Sequence, residues 1–279
     1  MEKAQMNEQW KKLVRMQHPE KFLKFARHLD EKTLAAIYRM DLESYLKVKE
    51  ELSQKAKEAA QELLIDQSFA EKVDHLPFKA GETVMGVGES TTDDLLSWFE
   101  ILRHLLEQRK PQDKIRMINE GISGDTTTNL LGRINGIVAQ GPDWIICMIG
   151  NNDALRYGPE PTKTQVSVEE NGKNISEIHR MITRQNSIRQ LWMTPTLISD
   201  EKVAAFPYFK GQLTCRNEDI QMLGEVIHRL PDPVIDTQAI FEGSTASEWM
   251  EIDGLHPTIE GHQAIVSELV GEITVKDKK

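Results

Sequence analysis

Thr83-Val-Met-Gly-Val-Gly-Glu-Ser90-Thr-Thr-Asp-Asp-Leu-Leu-Ser-Trp-Phe-Glu-Ile-Leu-Arg-His-Leu-Leu-Glu-Gln-Arg109 changes its periodicity halfway along. Its first six residues are a short apolar run, the mark of a strand buried on both faces. From residue 93 onward Leu95, Trp98, Phe99, Leu102, Leu105 and Leu106 recur at helical spacing. Asp93 and Asp94 are expected to favour the positive N-terminal end of that helix, placed at Asp93–Arg109. The joint between the two halves holds Gly86, Gly88 and Ser90, a composition that permits a tight turn and exposes a hydroxyl. Gly and Ser also fill ordinary turns and caps, so the joint alone decides nothing. A dinucleotide loop is excluded because its third glycine is missing.

The same strand-then-helix alternation repeats downstream. Strands are expected at Thr83–Gly88, Lys114–Asn119, Asp143–Ile149, Ile188–Pro195 and Pro233–Asp236. Helices are expected at Asp125–Gln140, Val168–Gln185, Glu218–Leu230 and Thr258–Ile273. Five β-then-α repeats imply an α/β fold with a parallel sheet covered by helices on both faces. In such sheets sites form beyond the carboxyl ends of the strands.

Upstream, residues 1–75 contain no glycine and carry helical stripes, including Trp10, Leu13, Val14, then Phe22, Phe25 and Ala26, and a long helix from Leu42 to Leu64. His18-Pro19 marks a turn or helix start, and the flanking Lys and Arg are expected to border an apolar stripe packed on the neighbouring helix. The chain is thus divided into a helical extension, 1–75, and a sheet domain, 76–279.

Composition narrows the function. A net charge of −10 argues against a nucleic-acid partner, which needs a basic face. No apolar run approaches a membrane span, and Met1–Lys12 lacks the apolar stretch of a secretory signal, so a cytoplasmic protein is expected. Two distant cysteines, Cys147 and Cys215, do not make a disulfide framework, and Cys147 is expected to be a core residue.

Chemistry-bearing residues gather where the strands end. Asn119-Glu-Gly-Ile-Ser-Gly124-Asp125 follows the second strand; Asp125 can cap the next helix, and Gly124 would present an unobstructed N–H. Gly150-Asn151-Asn152-Asp153 follows the third and can supply an amide donor for developing negative charge. Asp253-Gly-Leu-His256-Pro257 precedes the last helix, with a carboxylate three residues from an imidazole and Pro257 suited to the first helical turn. His18 and His262 carry no comparable context in the sequence. The stretches Arg156–Ser167 and Leu197–Asn217 are long loops, the second carrying Phe206, Tyr208 and Phe209 as a wall over the site or a surface anchor.

Gly88-Glu-Ser90, Gly121-Ile-Ser-Gly124-Asp125, Gly150-Asn151-Asn152-Asp153 and Asp253-Gly-Leu-His256-Pro257, in that order over about 83–273, resemble the four blocks of the SGNH (GDSL-type) esterase and lipase family. The resemblance implies a flavodoxin-like α/β/α sandwich with five parallel strands. It implies Ser90 as nucleophile, His256 and Asp253 as its triad partners, and Ser90, Gly124 and Asn152 as oxyanion donors. It implies a small-molecule carboxylic ester or thioester as substrate, and no metal or organic cofactor. Glu89 departs from the Asp that the family usually has before the serine. An acyltransferase or a carbohydrate O-deacetylase would use the same residues. A non-catalytic interaction protein working through the N-terminal helices would not need them. Those helices are also a candidate surface for forming a homo-oligomer.

Overall fold

The computed structural model describes residues 10–23, 28–159, 162–185, 187–242 and 245–276; Phe25, Ala26 and Pro161 lie outside them. Five parallel strands form the central sheet: β1 Thr83–Gly88, β2 Arg116–Gly121, β3 Trp144–Met148, β4 Arg189–Met193 and β5 Val234–Ile235. Their order is β2-β1-β3-β4-β5, the flavodoxin-like winding. β1 pairs with β2 and β3 in register, and all six of its residues are buried, which accounts for its unbroken apolar run.

Helices cover both faces. Thr127–Val138, Val168–Thr183 and Asn217–His228 carry Leu130, Ile134, Ile178 and Ile227, which pack with Met85, Val87 and Trp192 on one side. Trp98–Arg109 and Ile259–Lys276 cover the other. The 22-residue helix Leu42–Leu63 lies against both of these, burying Tyr45, Val48, Leu52 and Ala56. The N-terminal helices therefore share one continuous apolar cluster with Leu102, Leu105 and Leu269.

Three expectations are corrected. β2 starts at Arg116 rather than Lys114, because Lys114 adopts a left-handed φ of 50° after the short helical turn Pro111–Asp113. The cap of the second covering helix is Thr126, which forms a reciprocal capping box with Asn129; the Asp125 carboxylate instead meets Arg133 Nε at 2.6 Å. The helix expected at Asp93–Arg109 is two pieces, Ser90–Asp93 and Trp98–Arg109, broken at Asp94 (ψ 131°), and the second is capped by Ser97.

That break has a long-range cause. Asp93 and Asp94 are buried, and basic side chains from the N-terminal segment meet them instead of a helix dipole. Arg15 Nε donates to Asp94 Oδ1 at 2.7 Å, while His18 Nδ1 and Lys21 Nζ lie 2.7 and 2.6 Å from Asp93 Oδ1. His262, fully buried, has its Nε2 3.6 Å from Asp94 Oδ2. His18 and His262 are thus structural partners of buried carboxylates, which their sequence surroundings did not indicate. Burial by itself would raise the pKa of Asp94, but the neighbouring His262 ring and the Arg15 guanidinium outweigh it and hold the carboxyl well below the usual range. Removing one partner of a buried pair leaves an uncompensated charge. Arg15→Ala should therefore destabilise the fold by about 3–5 kcal/mol, read as a lower urea midpoint. A loss below about 1 kcal/mol would show that the pair holds nothing.

Candidate active site

Ser90, Asn152 and His256 come together at the carboxyl ends of β1 and β3 and on the loop before the last helix. β1 delivers Ser90 through a corner at Gly88, where a Cβ would sit 2.1 Å from the Met148 carbonyl oxygen. Only glycine lets the end of β1 lie this close to the end of β3. Ser90 opens the helix Ser90–Asp93, so its N–H is one of those without an intrahelical acceptor.

The loop carrying the histidine is built from its own hydrogen bonds. Glu251 N–H donates to the His256 carbonyl at 2.8 Å and Thr258 N–H to that of Trp249 at 2.7 Å. Asp253 Oδ1 accepts the N–H groups of Leu255 and His256 at 3.0 and 3.1 Å. Asp253 Oδ2 faces His256 Nδ1 at 2.9 Å, and His256 Nε2 faces Ser90 Oγ at 3.1 Å. Burial would raise the Asp253 pKa, but its bonds to His256 and the nearby Lys12 ammonium hold it well below the usual carboxylate range. It stays ionised at neutral pH and can support an imidazolium beside it.

On the other side of Ser90 lie Gly124 and Asn152. Gly124 has a φ of 89° and open space where a Cβ would be, so its backbone borders the cavity unobstructed. The Asn152 side-chain amide donates to the Asp125 carbonyl at 2.9 Å and to Glu89 Oε2 at 3.2 Å.

Glu89 explains why this chain accepts a longer acid before the serine. It is fully buried, and its carboxyl reaches the N–H groups of Gly150, Asn151 and Asn152 at 3.3–3.4 Å. It thereby ties the β1 corner to the asparagine turn after β3. Burial and the neighbouring Asp153 push Glu89 up to about 8, against the downward pull of those N–H groups. An acid with a raised folded pKa favours folding below its unfolded value, and that contribution fades as pH rises towards the folded value. Stability should fall between about pH 5 and pH 8, and Glu89→Gln should flatten that fall while keeping the acceptor oxygen. Urea midpoints at the two pH values check this; an equal fall in both proteins would contradict it.

The site opens on a cavity of about 620 Å³. Tyr208, Phe209 and Leu213, from the second long loop, line it. That loop is tied to the first by the antiparallel pair Arg156–Tyr157 and Leu213–Thr214, and Arg156 pairs with Asp219 at 2.9 Å. Of the three aromatics expected there, Tyr208 and Phe209 border the cavity, and Phe206 packs against both of them. Lys12, Leu13, Met16 and Gln17 also line the cavity, residues no motif pointed to. Cys147 is 1% exposed, and burial pushes its thiol upward, as suits a core residue. Among the described residues no cluster of candidate ligands could hold a metal, and no helix is long and apolar enough to cross a membrane.

A hydroxyl, an imidazole and a carboxylate stand in line at the end of a parallel sheet, the arrangement found in α/β serine hydrolases. Residues 83–264 match the GDSL-like Lipase/Acylhydrolase family, and the chain belongs to it. It is similar to the acetylxylan esterase of Geobacillus stearothermophilus, with 27% identity over 183 residues, 61% of this chain and 77% of that one. It is similar to the arylesterase of Vibrio mimicus, with 28% identity over 191 residues, 64% and 79% of the two chains. In fold it resembles the lipase/acylhydrolase of Enterococcus faecalis at 21% identity, with a TM-score of 0.55 over 70% of this chain and 96% of that one. The protein is accordingly an esterase of this family.

Proposed function

We propose that Ser90 is the nucleophile of this esterase, His256 its general base and Asp253 the carboxylate that orients the imidazole. The two-bond chain from Asp253 to His256 to Ser90, at 2.9 and 3.1 Å, supports this reading above all else. His256 Nε2 takes the Ser90 proton as Oγ bonds to the acyl carbon. The carbonyl electron pair moves onto oxygen, where the N–H groups of Ser90 and Gly124 and the Asn152 amide receive it. Asn152 would share the N–H now directed at Glu89, the longer of its two bonds. The tetrahedral adduct collapses, the C–O bond to the alcohol breaks, and His256 returns the proton to the leaving oxygen. Water then repeats the attack on the acyl-serine and frees the acid. These steps use protein groups and water alone.

The acceptor in the second half-reaction separates hydrolase from acyltransferase. Two esters of one acid with different leaving groups, turned over in dilute methanol, should give the same ratio of methyl ester to free acid, because they share one acyl-enzyme. A ratio that changed with the leaving group would rule out that intermediate. The unpaired, buried Cys147 and Cys215 suit the reducing cytoplasm, where we place the protein.

A further inference from the structure

The family match begins at residue 83, yet one wall of the cavity over Ser90 comes from residues 12–17, seventy residues earlier. Leu13 and Met16 face the cavity together with Leu155, Phe209, Leu213 and Leu255. The polar lining comes from Thr91, Ser123 and Asn151 beside the reacting groups Ser90, Asn152 and His256, and from Lys12, Gln17 and Tyr208. Resting on the Ser90 reading above, we propose that this N-terminal segment is the specificity wall of the enzyme. With the facing leucines it holds an apolar arm of the ester, an unbranched chain of about six to ten carbons.

The segment is fixed in place as a built element. Residues 10–16 are helical, and Pro19 starts the next short helix. Ser123 Oγ donates to the Met16 carbonyl, and Asp93 Oδ2 accepts the Ser123 N–H at 2.8 Å. Arg15 and Lys21 are held by Asp94 and Asp93, and Val14 is buried in the common core. Lys12 Nζ reaches Asp253 Oδ2 at 3.2 Å, so the wall also touches the catalytic carboxylate. An apolar arm entering here replaces water against leucine, methionine and phenylalanine. Against those apolar side chains a polyhydroxylated sugar would give up hydration of its hydroxyls, which favours an apolar arm at that part of the cavity.

The apolar arm can be the acyl or the alcohol side of the ester, so the test has two series. The full-length protein is assayed on p-nitrophenyl esters from acetate to dodecanoate, and on alkyl acetates from ethyl to octyl. In one series kcat/KM should rise at least about 50-fold between two and eight carbons, since each buried methylene is worth roughly fourfold. Leu13 is 41% exposed, at the cavity rim, so Leu13→Trp fills the cavity without disturbing the core. Leu13→Trp and Leu13→Asp should each lower the eight-carbon to two-carbon ratio at least about tenfold. Flat profiles in both series, or a ratio unmoved by both variants, would overturn the proposal while leaving Ser90 as nucleophile. Failure to cleave any ester, with no labelling of Ser90 by a fluorophosphonate, would instead overturn the Ser90 reading and this one with it.

Discussion

Ser90→Ala is expected to lower kcat on p-nitrophenyl esters by about 10⁴-fold or more. The Ser90 hydroxyl stands 3.1 Å from His256 Nε2 and borders the cavity, so its loss removes the atom that would bond to the acyl carbon. The backbone donors, Asn152 and the apolar walls remain, and they sustain the residual rate such variants keep over water. The fold should survive, because among the described residues that hydroxyl bonds only His256. Its thermal midpoint should stay within about 2 °C of wild type, a change below roughly 0.5 kcal/mol. Steady-state assay and a melting curve on one preparation separate lost chemistry from lost structure. Retained activity would mean that another group attacks the ester.

Asp253→Asn should cost about 10³–10⁴ in kcat. Asp253 Oδ2 accepts from His256 Nδ1, and its Oδ1 accepts two backbone N–H groups, so the side chain is fixed from both ends. An amide with its oxygen kept on the backbone donors would turn its NH₂ towards Nδ1 and stabilise the tautomer that carries the proton on Nε2. That imidazole cannot take the serine proton. KM should change little, because Asp253 does not line the cavity. A loss below tenfold would show that His256 holds its tautomer without the carboxylate.

The residues proposed as the triad stand out in the sequence through the four blocks that resemble the SGNH family, each punctuated by glycine or proline. Ser90 follows Gly86 and Gly88, and Asp253 and His256 flank Gly254 and precede Pro257. β1 coincides with its expected span because a strand buried on both faces is apolar throughout. What stays hidden depends on contacts between distant residues. The pairs Arg15–Asp94 and Lys12–Asp253 join residues 79 and 241 positions apart, and nothing local in an amphipathic lysine-rich helix announces them. Asp93 and Asp94 look like ordinary first-turn acids until that segment folds over them, and the helix then starts at Trp98. Thr126 rather than Asp125 became the cap because Arg133 engages the aspartate.

Labelling the full-length protein with a fluorophosphonate and mapping the adduct by peptide mass spectrometry shows whether Ser90 is the reactive serine. A serine polarised by an adjacent imidazole attacks phosphorus, gives its proton to that imidazole, expels fluoride and keeps the phosphonyl group. The predicted result is one adduct per chain, on the peptide containing Ser90, absent in Ser90→Ala and strongly slowed in Asp253→Asn. An adduct on a different residue, or no adduct in protein that still hydrolyses esters, would contradict it.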